Sequence, residues 1–194
     1  MKKTIIRRNF VHILSAAIIP IAIMFGDLFA IGVSSLLAGF YALYLLFKHH
    51  PKLKTWKSVD KIIDKFSYYR YSGKVDLGPL FLWLGVIITL LFFSNGVKFP
   101  NPAYAGIMIL AFGDGFAALS VLIENRRVLR HGKSLEGSIM CFVAGWLGAS
   151  LFVPMKIAFV GALVGTFLES YARTIDDNIL IPVFSAFVMS VLLW

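Results

Sequence analysis

Asp114 stands between Gly113 and Gly115 inside a long apolar run, where a carboxylate is costly and seldom idle. An ionised Asp in such a place needs a cation, a donor cluster or a water-filled cavity. The flanking glycines let a backbone or ligand approach closely, or break the helix. In a regular helix, the rise from Asp114 to Glu124 sets the carboxylate about 15 Å below the helix end. The bland alternative is a structural Asp hydrogen-bonded across helices. Of the ten acidic residues, Asp27, Asp60, Asp64 and Asp76 fall in a turn or a basic loop and need no special account. The remaining six are Asp114, Glu124, Glu136, Glu169, Asp176 and Asp177, all in the second half of the chain. Five of them fall at or near the ends of apolar segments.

Gly132-Lys133-Ser134 looks like the end of a Walker A loop. The first glycine and the preceding strand are missing, which excludes a P-loop ATPase fold. Even so, glycine backbone, a lysine, hydroxyls and a helix start near residue 136 make a cradle for polyphosphate. Glu136 suits a magnesium ligand beside that lysine, or equally a helix-start carboxylate facing the dipole. Further on, Glu169 is followed by Asp176-Asp177-Asn178. Three carboxylates and an amide within ten residues form the oxygen-rich set that Mg²⁺ prefers. Ordinary surface charge plus a cap at Asp177 or Asn178 explains the same residues. His12, at the start of the first apolar run, reads as a packed interfacial histidine, and Cys141 as a small buried apolar residue.

The elements that must position these residues are apolar helices. The chain has 194 residues, 59% of them hydrophobic, with a mean hydropathy of +0.81. Soluble domains average about 45–50% apolar. Here the surplus comes in blocks of about 17–23 residues, enough to cross about 30 Å of hydrocarbon. The expectation is an all-α transmembrane bundle of seven spans, at about 9–26, 28–47, 77–95, 102–123, 136–153, 156–172 and 178–194. A tight turn at Gly26-Asp27 separates the first two. The first is read as a retained span, since it lacks a convincing cleavage site. No linker divides the chain, so residues 1–194 read as a single membrane domain.

With the N-terminus cytoplasmic and the C-terminus outside, all of the 19 Lys and Arg residues but Lys98 and Lys156 fall on the cytoplasmic side. The net charge of +9 is thus read as topology and contact with anionic lipid headgroups, and not as nucleic-acid binding. In the loop at 48–76, Val59, Ile62, Ile63 and Phe66 make a helical apolar stripe flanked by lysines, which suits a helix in the headgroup plane.

Three motifs in order carry a family resemblance. They are Gly113-Asp114-Gly115-Phe116-Ala117-Ala118, His131-Gly132-Lys133-Ser134-Leu135-Glu136-Gly137-Ser138, and Glu169 followed by Asp176-Asp177-Asn178. Together they resemble the polyprenol kinase family, which includes dolichol, phytol and farnesol kinases and a CTP-dependent diacylglycerol kinase. The family's Arg-Lys-x-x-His element is similar to the stretch from Arg7 to His12, with Arg8 in place of the usual Lys. The match runs from about residue 7 to 187.

The resemblance implies a nucleoside triphosphate, usually CTP, as phosphoryl donor and a membrane prenol as acceptor, with diacylglycerol as the alternative acceptor. At the nucleotide it implies Arg7, Arg8, His12, Arg126, His131, Gly132, Lys133, Ser134 and Gly137. For Mg²⁺ the pool is Asp114, Glu136, Glu169, Asp176, Asp177 and Asn178. Asp114, Lys133 and Glu136 carry catalysis, with Asp114 either binding metal or accepting the alcohol proton. Two rivals stand beside this expectation. A CTP:phospholipid cytidylyltransferase carries a related Gly-Asp and Lys-x-x-Glu-Gly pattern, and an ion-coupled transporter also keeps carboxylates in its spans. The oligomeric state is open.

Overall fold

The computed structural model describes residues 11–49, 76–125, 127–128, 133–171 and 176–194. Seven helices stand among them. They are α1 (Val11–Phe25), α2 (Asp27–His49), α3 (Gly78–Phe93), α4 (Pro102–Leu122), α5 (Leu135–Ala149), α6 (Met155–Tyr171) and α7 (Asp177–Leu193). Each coincides, within a few residues, with one of the seven apolar segments. The stripe expected at 59–66 lies outside the described residues. Two of the helices, α2 and α4, are long and apolar enough by themselves to cross a bilayer, and four others are shorter apolar helices.

The ends of these helices follow local chemistry. Gly26 takes a φ of 89° between α1 and α2, a left-handed turn that costs glycine nothing. Asn101 caps α4 by accepting from the Tyr104 N–H at 3.1 Å, and Pro102 follows at the first helical position. Ser134 caps α5, accepting from the Gly137 N–H at 3.1 Å. Asp176 caps α7 in the same way, accepting from the Asn178 N–H at 3.0 Å.

α4 is the centre of the bundle. Every residue from Pro102 to Ala111 is buried. One cluster packs Tyr104 and Ile107 against Ile18 and Ile19 of α1 and Val86 and Leu90 of α3. A second packs Ile109 and Leu110 with Leu82, Ile181 and Met189. α7 lies against α3, α4 and α6, and α5 lies between α4 and α6. By contrast, α2 keeps Leu28, Leu36 and Leu46 largely exposed, an apolar face such as a helix presents to lipid.

α4 is not a regular helix. It is α-helical to Met108, widens into a π turn over Ile109–Asp114, and tightens into a 3₁₀ turn over Ala118–Leu122. The depth expected for Asp114 assumed one uniform rise, which this helix does not keep. Gly113 lies within the π turn, and a Cβ there would stand 3.1 Å from the Cys141 Sγ and 3.2 Å from its carbonyl oxygen. Its absence lets α4 and α5 approach closely.

Two acidic residues set aside in the sequence have structural work. Asp27 accepts hydrogen bonds from the Tyr104 hydroxyl and the Ser94 hydroxyl, both at 2.6 Å. Asn101 donates in turn to Ser94 at 3.2 Å, so α2, α3 and α4 are joined at the end opposite Asp114. Asp76 accepts from the Gly78 N–H at 3.2 Å at the start of α3, and its carbonyl accepts from the Tyr41 hydroxyl at 2.6 Å. Removing the Asp27 carboxylate strands the buried Tyr104 hydroxyl. Asp27→Ala is expected to cost about 2 kcal/mol. Thermal unfolding in detergent checks this, and adding Tyr104→Phe should cost little more.

Candidate functional site

Four helices deliver side chains to one end of the bundle. Asp114 closes the π turn of α4 and is buried. From α1, the buried His12 brings its Nδ1 to 3.5 Å from Asp114 Oδ2. Lys133, just before α5, donates to Glu169 Oε1 at 2.5 Å. Its ammonium also lies 3.6 Å from Asp177 Oδ2, in the first turn of α7.

The electrostatics of this cluster follow from helix ends. Glu169 sits in the last turn of α6, facing the negative end of that helix, and is only 4% exposed. A carboxylate there requires a cation, and Lys133 supplies it. Asp177 is better placed, since it enters at the positive end of α7. Burial alone would lower the Lys133 pKa, but Asp114, Glu169 and Asp177 outweigh it and hold the ammonium above the ordinary lysine value. Lys133 therefore stays charged across the physiological range, with three carboxylates around one ammonium.

The other expected residues are engaged differently. The two carboxylate oxygens of Glu136 accept from the Arg127 N–H at 3.1 and 3.0 Å. With the Leu135 N–H donating to the Arg127 carbonyl at 3.0 Å, this pins the two ends of the loop that carries Lys133. Asp176 spends one oxygen on its cap. Asn178 is buried and donates to the Gly78 carbonyl at 3.3 Å, so its amide faces α3.

Ser134 and Gly137, expected at the nucleotide, stand where α5 meets α4. The Ser134 hydroxyl caps α5 and donates to the Ser120 hydroxyl at 3.1 Å. A Cβ on Gly137 would crowd Ser120 Oγ at 3.0 Å and the Ala117 carbonyl at 3.2 Å. Arg7, Arg8, Arg126, His131 and Gly132 lie outside the described residues. Among the described residues, no three His, Cys, Asp or Glu side chains form a ready metal-ligand group.

Two hydroxyls extend the cluster in a way the motifs did not signal. Ser170 Oγ donates to Glu169 Oε2 at 3.2 Å and lies 3.0 Å from Ser138 Oγ. The available hint was a serine one turn after Ser134 on α5, but nothing local pairs it with α6.

Among the described residues, fold and site define a bundle of strongly apolar helices with an acid-rich, lysine-centred cluster at one end. The chain belongs to the family of an uncharacterized protein of Rickettsia prowazekii, to which it is 32% identical over 189 residues, 91% of this chain and 88% of that one. An uncharacterized protein of Methanocaldococcus jannaschii is 26% identical over 115 residues, 58% of each chain. The phytol kinase of Synechocystis is 31% identical over 129 residues, 60% of this chain and 54% of that enzyme. No protein-family model and no solved structure matches the chain.

Since Lys133 is what makes the Glu169 carboxylate tolerable, Lys133→Met is expected to destabilise the protein by about 3 kcal/mol. Adding Glu169→Gln should recover much of that loss. A double-mutant cycle read by thermal unfolding checks the coupling.

Proposed function

We propose that this protein is a multi-pass membrane kinase that transfers the γ-phosphate of CTP to the hydroxyl of a membrane prenol, giving a prenyl phosphate. The observation that carries the reading is the cluster at the end of an apolar bundle, where Glu169 and Asp177 both contact Lys133 and Asp114 adds its field. Such a cluster attracts a divalent cation bound to polyphosphate. The likeness to a phytol kinase supports the same chemistry.

Mg²⁺ fits this donor set, because it needs only one or two carboxylates when phosphate oxygens and water complete its shell. Asp177 and Glu169 are the residues that would hold it, and bound there it would neutralise charge on the transferring phosphoryl group. Lys133 draws in the phosphates as a charged donor, aided by Arg7, Arg8, Arg126 and the backbone at Gly132. Asp114 either joins in holding the metal or receives the acceptor's proton, as kinases set a carboxylate against the attacking hydroxyl. Glu136 holds the loop in place. Catalysis rests on positioning and charge neutralisation, without a covalent enzyme intermediate. All seven helices cross the membrane in this reading, with the cluster on the cytoplasmic side where Lys and Arg concentrate.

The test uses purified protein in lipid with Mg²⁺, γ-labelled CTP and a panel of geranylgeraniol, longer polyprenols and diacylglycerol. Label is expected to move to a prenol and to vanish with EDTA. Asp114→Asn and Lys133→Ala should each lower kcat by about 100-fold or more. Glu136→Gln, which keeps an oxygen for the Arg127 N–H, should lower it far less. Pyrophosphate release on adding a lipid phosphate, with no label on any alcohol, would make the protein a cytidylyltransferase instead.

A further inference from the structure

A groove of about 890 Å³ opens between α5 and α6. Its lining is polar at one end, where Lys133, Ser138 and Ser170 stand, and almost wholly apolar below, with Thr166 the one hydroxyl further down. The lower walls are Ile139 and Phe142 on α5, Leu163 and Phe167 on α6, and Phe184 on α7. Ile139, Leu163 and Phe167 are exposed, so the groove is open along its length. It is closed beneath Phe142, whose ring packs against Trp146 and Phe159 at centroid distances of 5.9 and 5.2 Å.

We propose that this groove seats the head end of the acceptor, with the prenol hydroxyl beside Ser138 and Ser170 and the first isoprene units along Leu163 and Phe167. The inference rests on the kinase reading and deepens it. Three observations select this occupant. The polar end is continuous with the acid–lysine cluster, because Ser170 donates to Glu169 and Lys133 lines both. A hydroxyl placed against Ser138 and Ser170 stands one hydrogen bond from Glu169 and next to the lysine that draws in the phosphates. The remaining walls offer a free nucleotide almost nothing to bond with, and offer an alkyl chain a desolvated surface.

The geometry also says what the groove reads. From Ser170 to Leu163 it runs roughly 10 Å at about 1.5 Å per residue. The aromatic floor under Phe142 then stops it, so the rest of a long chain must leave sideways into the surrounding lipid. The site therefore discriminates the hydroxyl and the first units of the chain, and is indifferent to total length beyond them.

A prenol bearing a diazirine near its hydroxyl tests this in lipid nanodiscs of phosphatidylcholine, without nucleotide. Expected is label on the α5 and α6 segments that hold Ile139, Leu163 and Phe167, competed away by geranylgeraniol and by longer polyprenols alike. Label spread over all lipid-facing helices, confined to other helices, or unaffected by competitor overturns the proposal. Because this readout needs no phosphate transfer, it reports on the groove separately from the kinase reading. In the transfer assay, Leu163→Trp and, from the opposite wall, Ile139→Trp should raise the prenol KM about tenfold and leave the CTP KM unchanged. Transfer to prenol with KM unaffected in both folded variants sinks the groove and leaves the kinase standing.

Discussion

The contact between Lys133 and Glu169 is the constraint around which this end of the molecule is arranged. A nearly inaccessible carboxylate at the negative end of α6 is unfavourable by burial and by dipole. It persists because the loop before α5 returns a lysine to it. That loop is held by Glu136 and the backbone of Arg127 on one side and by the Ser134 cap on the other. Asp177 on α7 comes within 3.6 Å of the same ammonium, and Asp114 on α4 adds its field. The glycines at 113 and 137 bring α4 and α5 near enough for the group to close.

Much of the fold was readable, and for simple reasons. Long apolar blocks and the turn at Gly26 mark helices by chemistry that acts within a few residues, whereas the cap of α7 expected at Asp177 or Asn178 is made one residue earlier, by Asp176. Asp114, Lys133, Glu169 and Asp177 also stood out, because charge beside apolar sequence is conspicuous. What was hidden is rotation. A helix that is apolar almost all round gives no polar face by which to orient it. Hence the sequence left Glu136 open between a metal ligand and a helix-start carboxylate, and its contact with Arg127 depends on a partner nine residues earlier in a folded loop. Asn178 faces α3 and the Ser138–Ser170 pair joins two helices for the same long-range reason.

Asp27 was set aside because acidic turn residues are common. Its partners, Ser94 and Tyr104, lie 67 and 77 residues away, which no local pattern encodes. The irregularity of α4 was equally hidden. Gly113 and Gly115 permit a break, but whether the helix ends, kinks or widens depends on Cys141 packing against it.

The position of α4 at the centre has a consequence for the order of events during synthesis. Asp114 emerges from the ribosome before Lys133, Glu169 and Asp177 exist, so its later neighbours cannot shield it as α4 is made. In a bilayer, only His12 on α1 precedes it among the cluster's described members. Of the groups that meet Asp114 in the finished fold, the imidazole on α1 is thus the one already made when α4 appears.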